Sequence, residues 1–253
     1  MSAETASART LTVGSLIEVK DVVYGYPDKP VLRGLTLAVA PGEVVGLLGR
    51  NGAGKTTTLE LLLGLRRPQR GVCRVLGADV TADPVAARRA VGFVAESPVS
   101  LEWLTGGDHL RFVSRVRGLR EPEAGEQIAA VLARVGLVNE AHHLASEYSM
   151  GMRQRLGLAM ALLGEPPVLL LDEPTNGLDP PGAEELITIV RDHARAGGAG
   201  LISSHQLDII DRACDRVLFL SGGVIADEVR PAEEPAGARE LARRFVTLGR
   251  RRS

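Results

Sequence analysis

The chain has 253 residues, which is enough for one large or two small domains with a substantial core. Its 30 basic residues nearly balance its 31 acidic residues, so we expect no nucleic-acid partner. No apolar run approaches the roughly 20 residues that cross a bilayer, and the first residues lack a signal-peptide pattern, which together favour a cytoplasmic chain.

The chain opens with a polar segment and continues with strand patterns. Residues 1–14 are small and polar, and we expect them to be disordered. One domain is predicted over 15–230. Within it, 16–20 and 35–39 alternate between apolar and polar residues with the two-residue period of strands. They predict an antiparallel β segment in front of the rest of the domain.

A phosphate-binding loop follows the next apolar strand, at 44–48. Residues 49–56 match the pattern G-x-x-x-x-G-K-[ST]. Its glycines allow positive φ angles and let backbone N–H groups approach a phosphate at the positive end of the following helix. We expect Lys55 to reach the β- and γ-phosphates and the Thr56 hydroxyl to ligate Mg²⁺. The residues assigned to nucleotide binding here are Gly49, Asn51, Gly52, Ala53, Gly54, Lys55, Thr56 and Thr57.

Further strands are predicted at 90–94, 168–171, 200–203 and 216–220, and helical patterns separate several of them. This alternation indicates a mainly parallel α/β core. Between about 97 and 163 the periodicity is helical, which predicts a helical subdomain inserted into that core.

Proline, glycine and acidic residues at 231–237 mark the end of the domain. Residues 231–253 then form a basic tail with a short amphipathic helix at about 239–248. Its arginines suit either an anionic membrane face or a frayed, solvated tail, and we favour the frayed tail.

Several other residues are interpreted as packing groups. Cys73 and Cys214 show no metal-ligand spacing and resemble small core residues of a reducing compartment. We expect Phe93, Phe112 and Trp103 to pack in the interior. Alternatively, Trp103 and its neighbour Leu104 line a surface for a protein partner, because aromatic anchors favour interfaces.

Two carboxylates end the apolar strand at 168–171. Asp172 is expected to hold a metal ion, and Glu173 to act as the general base toward an attacking water. An apolar strand followed by Asp-Glu is weak evidence for a phosphoryl-transfer site on its own. In a chain that also contains a phosphate loop, it is strong evidence. Downstream, Asp179 lies in a tight loop, and His205 follows another predicted strand.

A second anion site is predicted far from the phosphate loop in sequence. Ser149 is a good N-cap for a helix that continues to about residue 163. The free N–H groups of its first turn, with Gly151, would attract an anion. The chain therefore contains half of each of two phosphate sites.

In this order of motifs, residues 16–225 resemble the ATP-binding cassette family, the ATPase subunits of ABC transporters. The resemblance implies an α/β P-loop NTPase fold that uses ATP and Mg²⁺. It also implies two cassettes packed head to tail, most simply as a homodimer, so that Ser149 and Gly151 of one protomer contact the γ-phosphate held by the other. The cassettes would bind an integral membrane permease at the cytoplasmic face of the membrane.

The resemblance also assigns roles to further side chains. Tyr26 matches the aromatic residue that stacks on adenine, with Tyr24 as a possible substitute. His205 matches the histidine that contacts the γ-phosphate, and Asp179 lies in the loop that follows the carboxylates.

Two departures from the commoner family pattern point to a branch. Glu96 stands where the family usually has glutamine, and it can still offer an oxygen to Mg²⁺ or to water. The signature segment beginning at Ser149 reads Ser-Met-Gly-Met-Arg-Gln instead of the usual Ser-Gly-Gly-Gln form. Both variants resemble the branch that exports drugs, bacitracin and lantibiotics.

The leading hypothesis is therefore an ATPase that powers a separate permease, with export as its direction. An importer cassette is a rival. A second rival is a soluble ABC-type ATPase that acts on a non-membrane complex, although such proteins commonly carry two cassettes or a basic surface. A third is a regulator that binds nucleotide without hydrolysis, but Glu173 and His205 are both present.

Overall fold

The computed structural model describes residues 14–27, 29–97, 100–231 and 238–250. Apolar runs of four to six residues form the centre of a six-stranded sheet, because strands that are covered on both faces need few polar residues. Its order is β10-β9-β3-β8-β7-β6, and β10 is the antiparallel strand at one edge. The strands are β3 (Val44–Leu48), β6 (Val91–Val94), β7 (Val168–Asp172), β8 (Ala199–Ser204), β9 (Arg216–Ser221) and β10 (Val224–Val229).

A second, antiparallel sheet contains the remaining strands, in the order β2-β1-β4-β5. Its strands are β1 (Ile17–Tyr26), β2 (Lys29–Val39), β4 (Arg70–Val75) and β5 (Ala78–Asp79). The pairing of β1 with β2 confirms the predicted antiparallel segment.

Helices connect the parallel strands, and three of them lie between β6 and β7, where the helical insertion is predicted. The α/β fold with an antiparallel segment and a helical insertion is thereby confirmed. The helices are α1 (Lys55–Leu62), α2 (Pro84–Arg89), α3 (Gly106–Arg117), α4 (Glu123–Arg134), α5 (Met150–Leu162), α6 (Pro180–Arg195), α7 (Leu207–Ala213) and α8 (Ala238–Arg250), with a short 3-10 helix at Ala145–Glu147.

The six-stranded sheet separates two apolar cores. Along β7, Leu169 and Leu171 face a core shared with α5, α6 and α7, whereas Val168 and Leu170 face a core shared with α1 and the antiparallel sheet. This alternation explains why the β7 sequence is continuously apolar. The six-stranded sheet is therefore fixed between two layers, and its carboxyl edge is left for polar groups.

A buried arginine joins the two sheets. Arg216, at the start of β9, is 2% exposed, and its Nε donates to Glu43 at 2.8 Å. Its Nη2 donates to the main-chain oxygen of Ala38 in β2, and Glu228 of β10 lies 3.4 Å from Nη1. A buried charge is stable only when it is paired, so separating these partners would be costly. The cluster therefore fixes the position of the antiparallel sheet relative to the six-stranded sheet.

The packing residues follow the sequence interpretation only in part. Cys73 and Cys214 are buried as predicted, and burial raises the pKa of both thiols, to about 12 for Cys73. The prediction that Trp103 and Phe112 pack in the interior is wrong, since they are 72% and 58% exposed. Phe93 is half-buried against the core beside the antiparallel sheet.

The carboxyl-terminal helix is not the frayed tail that we favoured. Leu241 of α8 is fully buried in the core shared with α7, and Arg244 pairs with Asp227 at 3.3 Å. Residues 1–13 and 251–253 lie outside the described part, so the predicted disorder of 1–14 is not addressed by the structure.

Candidate functional site

The phosphate loop leaves β3 and enters α1, as its sequence predicts. Gly52 has φ +79° and Gly54 has φ +111°, a left-handed conformation that favours glycine. Gly49 has no positive φ, and the reason for a glycine there is different: a Cβ at this position would lie 2.7 Å from the main-chain oxygen of Leu220. Gly52 and Gly54 are therefore needed for the backbone conformation of the loop, and Gly49 is needed because the loop packs closely against β9.

Strand order brings the other polar groups to this loop. Within the sheet, β8 lies beside β3, followed by β7 and β6. Their carboxyl ends carry His205, then Asp172 and Glu173, then Glu96. Parallel strands end at a common edge, so four segments distant in sequence meet there, at the usual ligand position of such sheets.

A cavity of about 330 Å³ lies at this edge. Most of its lining was predicted from the sequence, but Lys29, Val31 and Arg50 were not. The predicted residues that line it are Tyr26, Asn51, Gly52, Gly54, Lys55, Thr56, Thr57, Glu96, Asp172 and Glu173. Gly49 and Ala53 lie in the same loop without lining it, and Ser149, Gly151, Asp179 and His205 also lie outside the lining.

The centre of the site is a chain of three charged or polar side chains. Lys55 Nζ donates to the Gly49 oxygen at 2.9 Å and lies 3.5 Å from Glu173 Oε1. The other oxygen, Oε2, accepts from both the main-chain N–H and the Nδ1 of His205, at 3.1 and 2.8 Å. Glu173 is only 5% exposed. Its carboxylate is thus held from two sides while it faces the cavity.

The second carboxylate has a different partner. Asp172 is 2% exposed, and its Oδ1 accepts a hydrogen bond from the hydroxyl of Ser203 in β8. Sequence reasoning missed Ser203. The available signal was its position two residues before His205, at the end of a strand that would pair with β7.

The two candidate tyrosines have different surroundings. Tyr26 lines the cavity and is 42% exposed. Tyr24 lies outside the lining, and its hydroxyl accepts from Arg66 at 3.2 Å. The rings meet edge to face with centroids 5.6 Å apart, and the Arg66 guanidinium lies 5.1 Å from the Tyr26 ring centre. Arg66 is a second residue that sequence reasoning missed, because nothing in its local pattern indicates contact with β1.

The signature segment occupies another surface. Ser149 is exposed and caps α5, accepting from the N–H of Met152 at 3.2 Å. Gly151 adjoins the loop that follows Glu173: a Cβ on Gly151 would lie 2.9 Å from the Gly177 oxygen. Asp179 caps α6, accepting from Gly182 N at 3.2 Å, and lies 3.6 Å from Arg155 of α5. These residues form one group, separate from the cavity of their own chain.

Among the described residues, no helix is both long and apolar enough to span a bilayer. Residues 32–176 match the family model for ABC transporters. The uncharacterized ABC transporter ATP-binding protein YhcH of Bacillus subtilis (strain 168) is 38% identical over 219 residues, covering 84% of this chain and 69% of that protein. The methionine import ATP-binding protein MetN of Brucella abortus (strain 2308) is 34% identical over 222 residues, covering 86% of this chain and 60% of that protein.

A solved structure of the ATP binding subunit of an ABC transporter is also similar. It has a TM-score of 0.85 and 32% identity, and covers 92% of this chain and 100% of that one. In this chain the phosphate loop and the strand-end carboxylates line one cavity. The chain belongs to the ABC transporter family and is an ATP-binding cassette ATPase.

Proposed function

We propose that this ATPase drives a separate membrane permease by closing on ATP as a dimer and reopening after hydrolysis. The observation that carries the proposal is the division of the polar groups into two sets. One set lines the cavity, and the other, around the exposed Ser149, lies outside that lining. A site that uses both sets needs a second chain.

In this proposal the triphosphate binds along residues 49–57 and the adenine stacks on Tyr26. Lys55 is held near Glu173 and exchanges that contact for phosphate oxygens when ATP enters. Glu173, oriented by His205, then accepts the proton of the attacking water. His205 is 56% exposed at its side chain, so it is also free to contact the γ-phosphate.

The donors present fit Mg²⁺. Asp172, Glu96 and the Thr56 hydroxyl all line the cavity and offer the oxygen ligands that this ion prefers. When bound, Mg²⁺ would neutralise charge on the phosphates.

A permease partner at the cytoplasmic membrane face is the next step of the proposal. The helical insertion exposes apolar side chains at Leu101, Trp103, Phe112 and Val116, and exposed aromatic anchors of this kind suit a protein interface. We infer export as the direction, from Glu96 and the Met150 form of the signature. MetN is named an importer, so the direction needs its own test.

The catalytic roles are tested with two substitutions. Glu173→Gln removes the base but keeps size and hydrogen bonding, so it should bind ATP normally and lose turnover by about 10²–10⁴-fold. Lys55→Ala should instead weaken ATP binding. Glu126→Gln, an exposed carboxylate on α4, is the control. Steady-state hydrolysis by Glu173→Gln at the wild-type rate would overturn the assignment of the base.

The partner is tested in the native cell with an affinity-tagged chain. Detergent-solubilised membranes should yield a polytopic protein without its own phosphate loop, in stoichiometric amount, and its reconstitution in vesicles should raise ATP hydrolysis. ATP-dependent accumulation of a peptide antibiotic in inside-out vesicles would support export, and accumulation of a nutrient in right-side-out vesicles would support import. Recovery of the chain only with ribosomes or nucleic acid would contradict the proposal.

A further inference from the structure

Ser203 in β8 contacts both of the acidic residues at the end of β7, Asp172 and Glu173. In the parallel pairing of β7 with β8, its Cα is the register partner of Asp172. Ser203 is fully buried, and its hydroxyl donates to Asp172 Oδ1. The N–H of Glu173 donates to the Ser203 main-chain oxygen at 3.0 Å and to its hydroxyl oxygen at 3.2 Å. One residue therefore contacts the side chain of the first carboxylate and the backbone of the second.

These contacts leave the hydroxyl a single orientation. A serine hydroxyl has one proton, and here the proton goes to Asp172 while the oxygen accepts from Glu173. The bond to Oδ1 restricts rotation of the Asp172 carboxylate, so the other oxygen keeps one direction relative to the cavity that Asp172 lines. An apolar residue of similar size would fill the space without that restriction.

The backbone contact acts on Glu173. This residue has φ +46°, a left-handed conformation that is uncommon outside glycine and needs support from its surroundings. The main-chain oxygen and the hydroxyl oxygen of Ser203 both accept from the N–H of Glu173 and so stabilise this conformation. In this conformation the Glu173 carboxylate points toward Lys55 and His205. Ser203 thus supports the conformation that places the general base.

We propose that Ser203 is a positioning residue for ATP hydrolysis, whose hydroxyl sets the direction of the Asp172 carboxylate and stabilises the turn at Glu173. The inference rests on the proposed roles of those two carboxylates. Ser203 contacts neither nucleotide nor water in this role: it acts through its two neighbours. Groups that orient the ligands of a metal typically change metal affinity or activity by about 10- to 100-fold when they are removed.

The test uses Ser203→Ala and Ser203→Cys. Cysteine has the same side-chain shape and is slightly larger, but its S–H is a weak hydrogen-bond donor, so this variant leaves no cavity if the alanine variant fails to fold. Both should lower kcat by roughly 10-fold or more. KM for ATP should change little, because the phosphate-loop contacts remain. Ser114→Ala removes another buried hydroxyl, bonded to the Arg111 oxygen in α3, and is the matched control.

A second readout does not depend on turnover. Mn²⁺ bound with a non-hydrolysable ATP analogue is titrated by electron paramagnetic resonance. We expect weaker Mn²⁺ binding in both Ser203 variants, unchanged binding in Ser114→Ala, and equal analogue affinity in all of them when metal is absent. Wild-type kcat and Mn²⁺ affinity in Ser203→Cys would overturn the inference.

Glu173→Gln in the same experiments separates this inference from the proposed function. If Glu173→Gln keeps full turnover, the assignment of the base fails whatever Ser203 does. If Glu173→Gln loses turnover while both Ser203 variants match the wild type, the positioning role alone fails.

Discussion

Tyr24 and Tyr26 are two residues apart in β1, and both contact Arg66, yet only Tyr26 lines the cavity. The sequence resemblance favours Tyr26 without excluding Tyr24. The structure also favours Tyr26 as the residue that stacks on adenine. The Tyr24 hydroxyl is hydrogen-bonded to Arg66, and the Tyr24 ring lies outside the lining of the cavity.

Tyr26→Ala should weaken ATP binding, because stacking of a base on an aromatic ring is worth about 1–3 kcal/mol. Tyr24→Ala is the matched control: it removes the same ring from the same strand and should have a smaller effect. Isothermal titration of both variants with ATP and with inorganic triphosphate is the measurement. Triphosphate affinity should be unaffected in either, and a larger loss of ATP affinity in Tyr24→Ala would reverse the assignment.

Residues 101–105, just before α3, form a loop that a buried histidine of α3 holds in place. His109 of α3 is buried, and its Nε2 accepts from the N–H of Leu101 at 2.9 Å. Its Nδ1 lies 2.8 Å from the Thr105 oxygen, so this nitrogen carries the proton. The loop therefore presents Trp103 to solvent from a fixed base.

Trp103→Ala should leave the melting temperature and nucleotide affinity of the isolated chain nearly unchanged, because the side chain is 72% exposed. Stimulation of hydrolysis by the permease should fall, since an interface anchor is worth about 2 kcal/mol or more. Leu65→Ala, which truncates an apolar side chain of 62% exposure after α1, is the control. Equal stimulation in Trp103→Ala and the wild type would remove Trp103 from the interface.

The end of α6 contains a pH-sensitive group. Burial lowers the pKa of His193, with a further decrease from the charge of Arg134, although the Pro167 carbonyl opposes both. The unfolded chain therefore binds a proton at higher pH than the folded chain. By linkage, the free energy of unfolding is highest above the unfolded pKa of about 6.5 and decreases as pH falls below it.

His193→Gln should remove this contribution. Urea midpoints measured between pH 8 and pH 5 should decrease less in the variant than in the wild type. The other titrating groups are common to both proteins, so they cancel in the difference. His143→Gln, an exposed histidine, serves as the control, and a parallel decrease in His193→Gln and the wild type would rule out the effect.

In the proposed dimer, Ser149 of one protomer acts on the cavity of the other. Ser149→Asp gives a sharp test, because aspartate is as good an N-cap as serine but places a negative charge at the proposed γ-phosphate position. Hydrolysis should fall at least tenfold, while ATP binding to the separate chain should not change. Ser149→Asn keeps the cap without the charge and is the control.

Mixing Ser149→Asp chains with Lys55→Ala chains extends the test. In each mixed dimer one composite site carries both substitutions and the other carries neither, so hydrolysis should recover to at most half of the wild-type rate. Undiminished hydrolysis by Ser149→Asp alone would contradict a shared site.

Local patterns predicted the groups that meet at the carboxyl edge, because the phosphate loop and the Asp172-Glu173 pair each carry their chemistry in one short segment. They did not predict β4, β5 and β10. The strand β4 pairs with β1, which is distant in sequence, whereas β5 and β10 are short edge strands that each pair with the strand just before them. The role of Ser203 depends on its register with β7, and the exposure of Trp103 depends on how the insertion packs. Both are long-range properties that no local window contains.

The Arg216 cluster has a consequence for binding entropy. It ties β9, which borders the phosphate-loop strand, to the antiparallel sheet that carries Tyr26. The relative position of the phosphate loop and Tyr26 is therefore fixed when the chain folds, before any nucleotide binds. A nucleotide held as proposed contacts both surfaces, its phosphates at the phosphate loop and its base at Tyr26. Once the phosphates are bound, the Tyr26 ring is at a high effective concentration relative to the base.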